Sequence, residues 1–386
     1  MRERVAAAGA CVSPVASRAD REAFISLPWR IYADDPAWAP PLRREVARFI
    51  DAEHHPFYRH GAAQLLLARR GNGRAGEVVG RIMASDDPHY NAEHGTNVGM
   101  FGLFESVDDP AVAHALLDAA AAWLRARGRT AMLGPIDYST NYSCGLLVAG
   151  FETPQRLLMT HNPRYYRALL ESYGLRPVKE LYAWWIDRVP DLSAWLPRIV
   201  RARSRGVTIR HMRKADLAAE ITRARRIYDE AWARNWGWVR MTDAELDYLG
   251  RELAQIADER LCLIAEIGAE PVGFALALPD VNEAFRAVGD GRLMRRGLPI
   301  GLIRLLLALR RIRTFRFFTL GVRPGFQARG IAEALMARVV EVAAAAGYTG
   351  AEMGWTLEDN LRVNRAIGRV VREPYKRYLV YEKELA

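Results

Sequence analysis

The sequence predicts an α/β protein made of two tandem domains on one shared plan, and three observations carry that expectation. The chain has 386 residues, more than a single ordinary hydrophobic core organises. Half of the residues are hydrophobic, 10% are aromatic and 26% are charged, the balance of a globular chain. Strand and helix periodicities also come round twice in the same order.

In the first half the periodicity predicts a helix near Asp20 to Tyr32, Pro-rich punctuation at Pro36, Pro40 and Pro41, and an amphipathic segment from Leu42 to Asp51. Strands at Gln64–Arg69 and Glu77–Ala84 flank a Gly-Asn-Gly turn. A strand at Val98–Glu105 leads through Asp108-Asp109-Pro110 into a helix, Ala111–Arg127, with an acidic cap and Pro in its first turn. Thr130–Pro135 reads as a strand, Arg164–Ser172 as a helix stopped at Gly174, and Glu180–Asp187 as a strand.

Pro190 to Pro197 reads as a connector, after which the order restarts. Val207–His211 is a strand, Leu217–Arg234 and Asp243–Ala257 are helices, and Leu261–Ile267 and Val272–Leu278 are strands. An Arg-rich insert, Arg292–Arg313, precedes a strand at Arg316–Val322, a helix at Ala332–Ala345 and a strand at Gly350–Trp355. A helix from about Asn360 and a strand at Tyr378–Lys383 close the chain. The expected division is 1–195 and 196–386.

Three separated cysteines, Cys11, Cys144 and Cys262, form neither a disulfide framework nor a metal motif. No metal is expected, and a reducing cytoplasm is the simple compartment. The start, with Arg2, Arg4 and an Ala/Gly run broken by Pro14, reads as no signal peptide. The greasy stretch Leu298–Leu309 contains Arg304 and falls short of the ~20 apolar residues of a membrane span. A net charge of +10 suits nucleic acid, an anionic membrane surface or a nucleotide cofactor, and does not choose among them.

A phosphate-binding loop needs outward N–H groups, a Gly where the backbone approaches the anion, and a helix N-terminus behind it. Gln327-Ala328-Arg329-Gly330-Ile331-Ala332 meets these requirements between a strand and a helix. The same spacing recurs at Arg70–Ala75 and Arg286–Gly291. The first is a hairpin turn and the second runs into the Arg-rich insert, so neither joins a strand to a helix.

Residues 320 to 332, Leu-Gly-Val-Arg-Pro-Gly-Phe-Gln-Ala-Arg-Gly-Ile-Ala, resemble the cofactor motif of the GNAT superfamily of N-acetyltransferases. The whole chain resembles a bacterial tandem GNAT protein with a degenerate first repeat. The resemblance implies two GNAT-like domains, each a mixed, mostly antiparallel sheet flanked by helices, with acetyl-CoA or another acyl-CoA as co-substrate. It implies that Leu320, Gly321 and Val322 pair with the pantetheine arm and that the amides of Gln327 to Ala332 hold the pyrophosphate. Asn360 matches the Asn opening the next cofactor-contacting helix, with Asn364 a second candidate.

The catalytic residues depart from the family. The usual Tyr position, counted from Asn360, is Ile367, so Tyr375 or Tyr378 is the candidate general acid, or else a packed strand residue. No carboxylate lies on the strand Arg316–Val322. Asp280 and Glu283 are the candidates for the base, with a helix cap or turn as their structural alternative. Asn235, Trp236 and Trp238 stand where the superfamily builds its acceptor wall, and equally suit a core.

In the first half the matching junction, Phe104 to Pro110, lacks Gly and carries Glu105, Asp108 and Asp109. Those charges would repel a pyrophosphate, so this half is expected not to bind CoA; Tyr138, Asn141 and Cys144 are candidates to line an acceptor cleft, with an inert small apolar residue as the alternative for Cys144.

The expected activity is acyl transfer to a primary amine of a small-molecule or peptide acceptor, with no DNA partner. Two alternatives stay open: aminoacyl transfer from charged tRNA, which the pyrophosphate loop opposes, and a non-catalytic acyl-CoA-binding or membrane-surface module using the basic amphipathic segment Leu298–Arg313.

Overall fold

Local chemistry sets the helix starts in a computed structural model, which describes residues 6–7, 10–71, 76–200 and 206–385. The chain runs through β1 (Ala6–Ala7), β2 (Ala10–Pro14), α1 (Arg18–Ser26), α2 (Pro28–Ile31), α3 (Arg43–Phe49), β3 (Ala62–Arg70), β4 (Glu77–Asp86), α4 (Pro88–His94) and β5 (Val98–Ser106). Then come α5 (Pro110–Arg125), β6 (Ala131–Gly134), β7 (Leu146–Ala149), α6 (Tyr166–Ser172), β8 (Arg176–Ile186), α7 (Val189–Val200), β9 (Thr208–His211), α8 (Leu217–Trp232) and α9 (Asp243–Ile256). The remainder is β10 (Cys262–Ile267), β11 (Glu270–Pro279), α10 (Asn282–Val288), α11 (Ile300–Leu309), β12 (Thr314–Val322), α12 (Ile331–Ala345), β13 (Gly350–Leu357), α13 (Leu361–Ile367) and β14 (Lys376–Glu384).

Capping boxes open α1 (Ser17 with Asp20) and α9 (Thr242 with Glu245), satisfying amides that a helix cannot pair internally. The segment Pro190–Pro197, expected as a connector, is instead inside α7. Pro190 sits at the second helical position, where a missing N–H is harmless, and burial of Val189 and Leu192 in a shared apolar cluster holds the helix. The Arg-rich insert contains α11. No helix among the described residues is long and apolar enough to cross a membrane, and the three cysteines are unpaired thiols.

Two compact units interleave in sequence: Met1–Leu181, Phe285–Leu305 and Lys376–Ala386 form the first, Tyr182–Ala284 and Leu306–Tyr375 the second. In the first, strands follow the order β1-β2-β3-β4-β5-β6-β14, with β7 paired to β14. Neighbours are antiparallel except β5 with β6. Helix α5 buries Val112, Ala113, Leu116, Leu117, Ala120 and Leu124 against Leu66, Ile82 and Phe101 of the sheet, a stripe at helical spacing.

The second unit orders β9-β10-β11-β12-β13, followed by the Tyr182–Ile186 part of β8. Its pairs are antiparallel except β12 with β13. Alternation along the strands sends Leu263, Ala265, Ala275 and Ala277 toward Leu335 and Val339 of α12. It sends Ile264 and Phe274 toward Ile227 of α8, so helices cover both faces.

A polar cluster is buried in the first unit. The Glu105 carboxylate lies 2.7 Å from the Tyr166 hydroxyl, 2.9 Å from that of Tyr32 and 3.5 Å from Arg81. Burial pushes its pKa above the ordinary value against the pull of Arg81 and the two tyrosines. Nearby, Asp137 accepts the Leu103 amide at 2.8 Å, and burial raises its carboxyl from 3.8 to about 6.

Because the folded-state value of Asp137 is the higher one, its stabilising contribution is complete below about pH 4 and lost as pH rises through about 6. The change amounts to about 3 kcal/mol at ~1.4 kcal/mol per pH unit. Asp137→Asn keeps the acceptor oxygen and cannot ionise. Urea unfolding at pH 4 and pH 7 is therefore expected to show the variant gaining stability on the parent by roughly that amount; a difference that stays flat between the two pH values contradicts it.

Candidate active site

The two parallel strands β12 and β13 hydrogen-bond only near their starts. Thr314 pairs with Gly350, Phe315 with Ala351, Arg316 with Glu352 and Phe317 with Met353, and the ladder ends there. On its other edge β12 stays paired with β11 as far as Val322 opposite Gly273. That second ladder slips at Phe318, since Leu276 faces Thr319 and Ala277 faces Phe317. An extra residue bends a strand and increases its twist. The bulge at Phe318 thus turns β12 away from β13 and leaves residues 318–322 with one edge open to a fork. Leu320, Gly321 and Val322 lie on that edge.

A six-residue 3-10 turn, Pro324–Arg329, joins β12 to α12. Gly330 follows with φ 69° and ψ 17°, at the N-cap of α12 and with no side-chain cap. The first amides of α12, from Ile331 and Ala332 onward, therefore have no cap acceptor, as an anion site needs. Arg362 of α13 holds the turn from outside, donating to Gln327 O and Oε1, both at 3.0 Å. The Gln327 amide reaches back to Val322 O at 3.3 Å. Arg329 is exposed, 5.4 Å from the Phe326 ring centroid, and Arg323 is tied to Glu230 and Glu270.

Asn360 caps α13 by accepting from the Val363 amide at 3.3 Å. Asn364 accepts the Thr356 hydroxyl at 2.8 Å and donates to Leu357 O at 2.8 Å. Both asparagines thus fix the end of β13 to α13. Gly321 has the Trp232 ring directly over it, 2.1 Å from where a Cβ would stand, and Trp232 stacks on Tyr228 at 4.8 Å.

At the closed end of the fork lie two buried charged residues that sequence reasoning missed, Arg316 and Glu352. Arg316 donates to Gly354 O at 2.7 and 3.2 Å. The Tyr375 hydroxyl donates to Glu352 Oε2 at 2.8 Å, and the Tyr375 amide to Ala183 O at 2.9 Å. Ala351 and Met353 pack toward α12, so alternation sets Glu352 on the other face. A signal for Glu352 exists in the sequence, as a lone carboxylate in the run Gly-Ala-Glu-Met-Gly-Trp from 350 to 355.

The carboxylates chosen from sequence stand elsewhere. Asp280 is buried, accepts from the Asn282 amide at 3.3 Å, and its own amide donates to Thr314 O at 2.9 Å. Glu283 accepts from the Arg313 amide at 3.0 Å and from the Thr314 hydroxyl. They stitch α10 to the beginning of β12, ~10 Å along the strand before the fork opens at ~3.3 Å per residue. Asn235, Trp236 and Trp238 lie between α8 and α9; Trp238 is buried and Trp236 half-buried. Among the described residues, possible metal-ligand clusters are His60 with Asp87 and His89, and Asp51 with Glu53 and His54.

The first unit holds a similar parting in a different state. β5 pairs with β6 only over Val98–Met100, but residues following β6 occupy the open edge. Ile136 N donates to Phe101 O at 2.7 Å and Leu103 N to Asp137 Oδ1 at 2.8 Å. The N-terminus of α5 is likewise filled, because Asp109 accepts from the Ala111 amide at 2.8 Å.

The sequence matches the acetyltransferase (GNAT) family over residues 222–369. Protein YghO of Escherichia coli (strain K12) is 34% identical, over 95% of this chain and 93% of its own. The bacterial ceramide synthase of Caulobacter vibrioides is 36% identical over 97% of each. Among solved structures, a tandem GNAT protein from the clavulanic acid biosynthesis pathway superposes with a TM-score of 0.56 at 15% identity, covering 98% of this chain and 99% of that one.

The backbone at the fork gives a direct stability test. Gly321→Ala must displace the Trp232 ring and is expected to lower stability by about 1–3 kcal/mol. Gly330→Ala, forced to a left-handed φ, is expected to lose about 1–2 kcal/mol. Gly325→Ala, in open space, is the control and should change stability by less than about 0.5 kcal/mol in urea denaturation.

Proposed function

Because this chain belongs to the GNAT family of acyltransferases, in its bacterial tandem form, we propose that it moves a fatty acyl group from acyl-CoA to the primary amine of a sphingoid-type long-chain base. The observation that carries the donor half is the fork: a bulged strand with an open edge leads straight to an uncapped helix N-terminus. An extended arm bearing amides pairs with an open strand edge, and a pyrophosphate suits a helix N-terminus behind Gly330. The acceptor half rests on the relative named ceramide synthase, since a ceramide is the amide of a long-chain amino alcohol.

Leu320, Gly321 and Val322 would hold the pantetheine arm, and the amides of Gln327 to Ala332 the pyrophosphate. The bound acyl-CoA supplies an activated thioester carbonyl. Glu352 takes the proton that the attacking amine must lose, and Tyr375 supplies a proton to the departing sulfur. Glu352 then returns its proton to Tyr375 along their 2.8 Å hydrogen bond, so both groups are reset. Arg316 fixes the Gly354 carbonyl and with it the course of β13 beside Glu352. Asp280 and Glu283 position the start of β12. The first unit binds no CoA in this reading, its own backbone and Asp109 occupying the equivalent groups.

The test incubates the purified protein with a C16 acyl-CoA and sphinganine, following thiol release and the amide product by mass spectrometry. Glu352→Gln is expected to lower kcat by roughly 10²–10⁴, with Glu283→Gln close to the parent. A large loss in Glu283→Gln and none in Glu352→Gln overturns the assignment. Acyl-CoA at 100 times its Kd should stabilise the fold by ~2.7 kcal/mol, and Gly330→Glu should abolish that shift; an unchanged shift removes the donor site from this loop.

A further inference from the structure

Residues 291–313 contain seven arginines and no carboxylate, and α11 sits among them with its apolar side outward. The helix buries Gly301 and Leu305. On the opposite side Leu302, Ile303, Leu306 and Leu307 are 37%, 53%, 54% and 55% exposed, and Met294 and Leu298 on the approach are 54% and 59% exposed. Spacing of three and four residues puts the four helical side chains in one stripe. A contiguous exposed stripe of this kind marks an interaction surface.

The charges say which surface. Arg292 reaches Glu22 at 3.3 Å and Arg295 reaches Asp290 at 3.1 Å. Arg296, Arg304, Arg310 and Arg311 are exposed and, among the described residues, have no acidic partner. Next to the approach to α11 lies a cavity of about 1050 Å³ whose walls include Arg18, Arg21, Arg43, Arg44 and Arg292, with Met294 and Leu302 beside them and Glu22 as the one carboxylate. Burial first, and then the neighbouring Arg292, hold the Arg43 guanidinium below its ordinary pKa, although Glu22 3.4 Å away pulls the other way.

We propose that α11 lies in the interface of an anionic phospholipid bilayer, with Leu302, Ile303, Leu306 and Leu307 among the acyl chains and the arginines on the headgroup phosphates. The helix has 10 residues, about 15 Å at 1.5 Å per residue, too short to span and suited to lying in the interface. A second copy of this chain is a poorer occupant, because apposed α11 helices would set unpaired arginines against each other without a carboxylate in the segment. The inference stands independently of the acceptor proposed above.

Flotation with phosphatidylcholine vesicles containing roughly half phosphatidylglycerol tests it. The protein is expected to float with these vesicles, and much less with phosphatidylcholine alone or at high salt. Ile303→Ser/Leu306→Ser/Leu307→Ser and, separately, Arg296→Gln/Arg310→Gln/Arg311→Gln should each weaken binding by roughly tenfold or more. These positions are exposed, so unchanged thermal unfolding will show that the fold is intact, and thiol release with a short soluble amine should persist. Absence of binding, binding untouched by the serine variant, or a parent dimer that the serine variant dissolves would each overturn the proposal. Vesicle binding without acyl transfer would leave it standing and sink only the proposed reaction.

Discussion

β12 is asked to satisfy two neighbours at once, and the second unit depends on how that conflict is resolved. Its ladder with β11 runs to Val322, while its ladder with β13 ends at Phe317. Phe318 is the residue that makes the two compatible, because a bulge changes a strand's direction without breaking its far-side pairing. Everything else follows from that turn. The open edge, the direction of the loop into Gly330 and the place of Glu352 beside the closed end are consequences of one unpaired residue. A continuous β12–β13 ladder would consume the same N–H and C=O groups internally.

The first unit shows what happens when the chain itself answers those groups. Its β5 also leaves β6 early, yet Ile136 and the Asp137 carboxylate take up Phe101 O and Leu103 N. Buried backbone groups left without partners are costly, so a fork must hold its own chain, water or a ligand. Asp137 therefore bears a tension of its own: its carboxylate is useful as an acceptor and penalised as a buried charge. Glu105 is in the same position, kept by two tyrosines and Arg81.

Regular elements were legible because periodicity, caps and glycine punctuation are local. The strand–loop–helix at 316–345 and the helices at 217–234 and 243–257 lie within a few residues of β12, α12, α8 and α9. Helix α7 was not legible, because Pro190 and Pro197 signal a break and only tertiary burial of Val189 and Leu192 overrides it. The loop at Gln327 to Ala332 was readable as a local motif. Glu352 and Tyr375 were not readable as a pair, since 23 residues separate them in sequence and only the fold places their oxygens 2.8 Å apart. The return of Lys376–Ala386 to the first unit is a long-range choice of partner that no local pattern records.

The resemblance sets the family's usual tyrosine position at Ile367, and the environment of Ile367 suits it to packing rather than to proton transfer. Ile367 is buried in the core with Leu335, Val339 and Met353, so a tyrosine there would have to place its hydroxyl in an apolar cluster or open the packing of α13. Tyr375 has the opposite setting. Its backbone is pinned to Ala183, its ring lies 6.0 Å from Trp185, and its hydroxyl is held by a carboxylate. A phenol in that hydrogen bond already points its proton along the line on which the proposed relay must return one. On the proposed reading, with the acid on the segment before β14 rather than on α13, the helix is left to the structural task that Asn360 and Asn364 perform, fixing the end of β13 at the mouth of the fork.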